Sequence, residues 1–169
     1  MDRVDQLIES YGTPATARVF RKLDVLMDIE HLRDPRVVPF LLSVVQDPNE
    51  PIEVRSRIVR MLRAAQSCAV VAEPVARALC ELLVDRTSPD LRVAAALTLA
   101  QFTAVRGVAA ALGDIALDSA EPLDLRYCAF TSLERAGCTP DSAALLRRIA
   151  LDDTLGPSAR SLLARWHLP

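Results

Sequence analysis

The residues best suited to recognising a ligand form a run of arginines. In RSRIVRMLR, Arg55, Arg57, Arg60 and Arg63 follow one another closely. On one helix, Arg57, Arg60 and Arg63 advance in steps of three and fall off the apolar stripe, so they should form an exposed basic row. Such a row could hold an acidic segment or a phosphate. It could equally be an ordinary solvated helix face, and neighbouring Glu50 and Glu53 dilute its charge. Tyr127 is a second candidate contact, because aromatic residues are enriched at interface hot spots. Trp166, in the final RWHLP, reads as a plug for the open apolar end of a helix stack or as part of an edge that docks on a partner.

Nothing else in the chain carries a recognisable reactive pattern. His31 and His167 are the only histidines, whereas helical metal sites need several histidine and carboxylate ligands at close spacing. Cys68, Cys80, Cys128 and Cys138 fit neither a CxxC pair nor a metal spacing. Cys80 and Cys128 fall inside apolar helical runs and read as small core fillers. Glycine-rich phosphate loops and a GxSxG elbow are missing from the sequence. The expectation is a protein with no catalytic residue, no metal and no cofactor, and therefore not an enzyme.

The elements that position these residues follow from composition. Apolar residues make up 51% of the 169-residue chain but aromatics only 4%, and there are five glycines. Alanine and leucine favour helices, and scarce glycine leaves little material for hairpin turns, so an all-α fold is expected. The net charge of −2 lacks the basic excess of a domain built to grip nucleic acid. Lys22 is the only lysine among twenty cations, the rest being arginine. The first residues, MDRVDQLIES, lack a long apolar core of a signal peptide, and no apolar run approaches the ~20 residues that span a bilayer. The chain reads as soluble, reduced and cytoplasmic, with no membrane contact.

The sequence also repeats. Arg18, Arg55, Arg92, Arg126 and Arg160 follow TPATA, EPIEV, SPDL, EPLDL and GPSA, at intervals of 37, 37, 34 and 34 residues. The aspartates that close the preceding apolar runs, Asp47, Asp85, Asp118 and Asp152, are spaced by 38, 33 and 34. Two rulers give one period, so each unit holds two helices. First helices are predicted over Val37–Gln46, Val75–Val84, Val108–Leu117 and Ala143–Leu151. Second helices should open at Pro51, Pro89, Pro122 and Pro157, because proline is suited to the first helical position. Ser88 and Thr13 are expected N-caps, and Glu53, Asp90 and Asp124 favour the first turn through the helix dipole. In the second helices Val54, Ile58 and Leu62 align with Leu91, Ala95 and Leu99, and with Leu125, Ala129 and Leu133. Val59, Ala96 and Phe130 join them one residue on. A lone hairpin cannot bury that stripe, but stacked hairpins can.

The turn aspartates, the early second-helix arginines and the opening prolines resemble the HEAT-repeat family, and in particular its short bacterial and phycobilin-lyase-type members. The resemblance spans nearly the whole chain. It implies a single domain, a right-handed α-solenoid of about five helical hairpins, with units near 1–29, 34–65, 72–102, 105–137 and 141–169. It also implies a ladder between neighbouring units made by Asp47, Arg55, Asp85, Arg92, Asp118, Arg126, Asp152 and Arg160, although the same arginines could line up as an anion-binding row. The period is shorter than the ~40–47 residues of the long form. The first unit, Val4–Met27, has no turn aspartate and a shifted apolar register, as expected of a terminal cap. The tryptophan–glycine–tyrosine pattern of TPR units and the TPLH phrase of ankyrin repeats are both missing.

The function expected from this reading is a non-catalytic scaffold or small assembly subunit whose curved surface binds another protein. A second copy of the chain is a further candidate partner. The alternative, from the likeness of the short repeats, is an accessory, chaperone-like partner of a bilin lyase or other cofactor-handling enzyme, which a co-purifying chromophore would reveal. A DNA-binding HEAT-like protein is the third reading; it needs a basic, aromatic groove that this composition does not provide, and salt-dependent DNA retention would revive it.

Overall fold

A computed structural model of the chain describes residues 2–32, 34 and 36–168, so the first residue of the expected first unit and the last of the fifth lie outside it. Among the described residues there are ten α-helices and no strand. They are α1 (Arg3–Tyr11), α2 (Val19–Leu32), α3 (Val37–Gln46), α4 (Ile52–Met61), α5 (Ala69–Val84), α6 (Pro89–Leu99), α7 (Val108–Leu117), α8 (Leu123–Ala136), α9 (Pro140–Ile149) and α10 (Gly156–Arg165). Short 3-10 segments cover Pro14–Thr16 and Leu62–Ser67. No helix among the described residues is long and apolar enough to cross a membrane.

Helix starts explain most of these boundaries, with instructive differences. Pro89 is the first residue of α6 and Pro157 the second of α10. Pro51 and Pro122 instead stand one residue earlier, as N-caps with ψ of 142° and 137°, so their fixed φ sets the approach to the helix rather than its first turn. Ser88 occupies the N-cap of α6 without a side-chain cap bond, and Thr13 precedes the 3-10 segment instead of α2. The capping box lies at Thr139, where the Thr139 hydroxyl accepts from the Ser142 N–H and the Ser142 hydroxyl from the Thr139 N–H. Helix α5 starts six residues before the expected Val75 and carries Pro74 in its second turn. Helix α4 ends at Met61, so Arg63 belongs to the following 3-10 segment and does not continue the row of Arg57 and Arg60 along one helix.

Contacts between helices are local and regular. Sequential neighbours pair as α1 with α2, α3 with α4, α5 with α6, α7 with α8 and α9 with α10. The odd helices then touch the next odd helix, from α1 through α9, and α2, α4, α6 and α8 touch in succession. The two rows enclose one apolar spine. All twelve stripe residues expected from the sequence are buried, from Val54, Ile58 and Leu62 through Leu125, Ala129 and Leu133. Two close approaches hold the rows together. Gly113 of α7 lets the Leu145 side chain of α9 pack close, since a Cβ there would lie 2.4 Å from Leu145 Cδ2 and force that side chain to shift. The buried Ser132 hydroxyl of α8 donates to the Ala96 carbonyl of α6 at 2.8 Å.

Leu99 is fully buried in this spine. Leu99→Ala should cost about 3 kcal/mol through lost burial and the cavity left behind. For a domain of this size that lowers Tm by about 6–12 °C, measurable by thermal unfolding followed by circular dichroism.

Candidate functional site

The early arginine of each second helix has a fixed first task. A helix ends with carbonyls that have no helical donor. Arg55 Nε donates to the Val45 carbonyl at 2.8 Å, Arg92 Nε to Leu83 at 2.7 Å and Arg126 Nε to Ala116 at 3.0 Å. Arg160 does the same through Nη1 to Ala150. Each of these carbonyls lies two residues before the turn aspartate, so the arginine staples the second helix of a hairpin to the end of its first.

The aspartates act mainly within their own turns. Oδ1 of Asp47, Asp85, Asp118 and Asp152 accepts the backbone N–H two residues on, from Asn49, Thr87, Ala120 and Thr154, at 2.8–3.0 Å. This side-chain mimic of a backbone turn folds the link between the two helices. Hydrogen bonds from the Thr87 hydroxyl and backbone N–H hold the Asp85 carboxyl below its ordinary range, with the charges of Arg55 and Arg92 adding to the effect.

The ties between neighbouring hairpins use a different set of acids from the one expected. Arg126 Nη2 does reach Asp152 Oδ2, at 2.5 Å. Arg92, however, grips Glu121 with both fork nitrogens at 2.7 and 2.8 Å, and not Asp118. Arg86 adds a third bond to the same carboxylate at 2.9 Å. At the first junction the lone lysine replaces arginine, and Lys22 Nζ lies 2.7 Å from both Glu50 oxygens. Tyr11 donates its hydroxyl to Glu50 at 3.0 Å and offers its ring face to the Lys22 ammonium. Arg55 acts on Asp85 through space without an ion pair. The acids missed from sequence are Glu50 and Glu121, which open the two nearly identical phrases EPIEV and EPLDL. Their position before proline reads as helix-start chemistry, yet both turn inward onto a cation of the preceding hairpin.

Of the four candidate contact residues, the structure brings Arg57 and Arg60 together. They border a groove of about 580 Å³ between α2, α4 and α6. Leu23, Met27 and Ile52 supply its apolar surface, and Glu53 and Asp90 its acidic side. Met27 is 50% exposed and Ile52 38%. Arg57 is tied to Glu30 of α2, whereas the exposed Arg60 has no ion pair among the described residues. Arg63 and Tyr127 are exposed but do not line the groove. Tyr127 stands on α8, one helix beyond α6 in the same row. No protein-family model matches the chain, and a search of curated proteins finds no match.

Arg92 and Glu121 are 5% and 8% exposed, so removing one strands the other in a dry site. Glu121→Gln should cost about 3 kcal/mol or more. Asp118→Ala, which loses one turn hydrogen bond, should cost about 1 kcal/mol. Urea unfolding of the two variants checks this order, and the reverse order would make Asp118 the partner of Arg92.

The same pair sets a pH dependence. Hydrogen bonds from Arg92 hold the Glu121 carboxyl below its ordinary range, and backbone N–H groups with Arg126 do the same for Asp152. A carboxyl whose pKa is lower in the folded state stabilises the fold above the unfolded value, and that stability is lost as pH falls through the folded value. Stability should therefore decline below about pH 5, with a shallower decline in Glu121→Gln. Urea midpoints measured from pH 7 to pH 3 give both slopes.

Proposed function

We propose that the chain is a HEAT-like, right-handed α-solenoid in the cytoplasm, and that it works as a non-catalytic scaffold binding a segment of another protein in the α2–α4–α6 groove. The support for the architecture is the regular succession of helix contacts, with the arginine staple and aspartate turn written once in each of the second to fifth hairpins. The observation that carries the binding role is the groove itself, where exposed Met27 and Ile52 lie beside Arg60, which has no ion pair among the described residues. Exposed apolar side chains next to an exposed guanidinium suit a partner segment that presents an apolar anchor and a neighbouring carboxylate. Glu53 and Asp90 across the groove disfavour a polyanion, so nucleic acid is a poor occupant.

The test is affinity capture from the native host with the wild-type chain and with Met27→Asp/Arg60→Glu. Both positions are exposed, so the variant should melt within a degree or two of wild type. Proteins retained by the wild type should be lost from the variant. Equal retention by both would move the binding site away from this groove.

A further inference from the structure

The charges that line the α2–α4–α6 groove are sorted by end. On α4, Ser56, Arg57 and Arg60 stand three, four and seven residues after Glu53, so the four share one face of the helix. Glu53 lies in the first turn of α4 and Asp90 in the first turn of α6. Arg55 and Arg92, the fourth residues of the same two helices, both act on the Asp85 carboxylate, so α4 and α6 begin at the same end. Glu53 and Asp90 are both exposed, and neither has an ion pair among the described residues. Arg60 lies about 10 Å further along the axis and lacks an ion pair in the same sense. Arg57, between them, is already matched by Glu30 of α2. Leu23, Met27 and Ile52 supply the apolar lining.

We propose, on the reading of this groove as the binding site, that its occupant is an amphipathic α-helix of a partner protein. The helix sets a lysine or arginine between Glu53 and Asp90, and an aspartate or glutamate on Arg60. Charges seven residues apart on a helix are separated by the same rise of about 10 Å as Glu53 and Arg60. Apolar residues three and four positions after the first charge then fall between the two on one face, toward Leu23, Met27 and Ile52. The partner cation relieves the repulsion between two carboxylates at one end, which a purely acidic segment would increase. With Glu30 already on Arg57, the basic end takes one carboxylate and not two. An extended segment fits less well. The walls are helices whose backbone groups bond within each helix, so a strand would turn unpaired peptide groups toward Leu23 and Met27, whereas a helix arrives with its own backbone satisfied.

The probe is a surface-display library of peptides on a fixed helical frame, randomised at positions i, i+3, i+4 and i+7 and selected on the full chain. The expected pool carries opposite charges at i and i+7, in either order, with apolar residues at i+3 and i+4. A selected peptide should bind Glu53→Lys/Asp90→Lys about tenfold more weakly than wild type, and changing the peptide's cation to glutamate should restore binding to that variant. Circular dichroism checks that the variant is folded; if it is not, Glu53→Gln/Asp90→Asn takes its place, with an expected loss of about threefold. A pool with carboxylates at both charged positions, or equal binding to wild type and the acid variants, would overturn the proposal while leaving the groove as a binding site. Failure to select any helix whose binding is lost in Met27→Asp/Arg60→Glu would overturn the helical occupant, and capture from the host with that variant then decides separately whether another kind of segment binds there.

Discussion

An arginine that closes its own hairpin while facing the next one is the constraint from which the rest follows. The side chain has five donors in a rigid fork, enough to satisfy a helix-end carbonyl and a carboxylate at once. Nε takes the carbonyl at Val45, Leu83 or Ala116, which locks the guanidinium plane. The outer nitrogens are then aimed before any neighbour arrives, so little freedom is lost when an acid docks. Lysine offers a point charge with no such fork, and the only lysine stands at the first junction, where Tyr11 buttresses it.

Around that constraint the fold separates two jobs that the turn aspartates might have combined. Asp47, Asp85, Asp118 and Asp152 use their first oxygen to close the turn. At one junction the second oxygen is also recruited, from Asp152 to Arg126. At two others the link is made by a longer acid three residues further on, Glu50 or Glu121, whose extra methylene brings the carboxylate to the cation. The buried Arg92–Glu121 pair is compensated on both sides, by the Leu83 carbonyl and by Arg86, and satisfied pairing of that kind is what makes a buried charge tolerable.

Much of the fold was legible because helical periodicity and proline placement are local signals. The predicted Val37–Gln46 and Val108–Leu117 match α3 and α7, and the aligned stripe from Val54 to Leu133 is buried throughout. The start of α5 was not legible, since Pro74 can sit early in a helix as easily as before one. Of the site, sequence spacing located Arg57 and Arg60 but not the end of α4 that separates Arg63 from them. Spacing also marks where an aspartate recurs without saying whether its carboxylate folds back on its own turn or crosses to a neighbour. That choice depends on backbone N–H groups two residues on, and every residue except proline supplies one.

The junction between the second and third hairpins differs from the others. There Arg55 faces Asp85 without gripping it, an exposed Gln46–Glu81 hydrogen bond spans α3 and α5, and a 3-10 segment replaces the end of α4. This seam is held by the packing of α4 on α6 and α3 on α5, without the buried or half-buried ion pair found at the other three junctions, so acid and salt weaken it less than they weaken its neighbours.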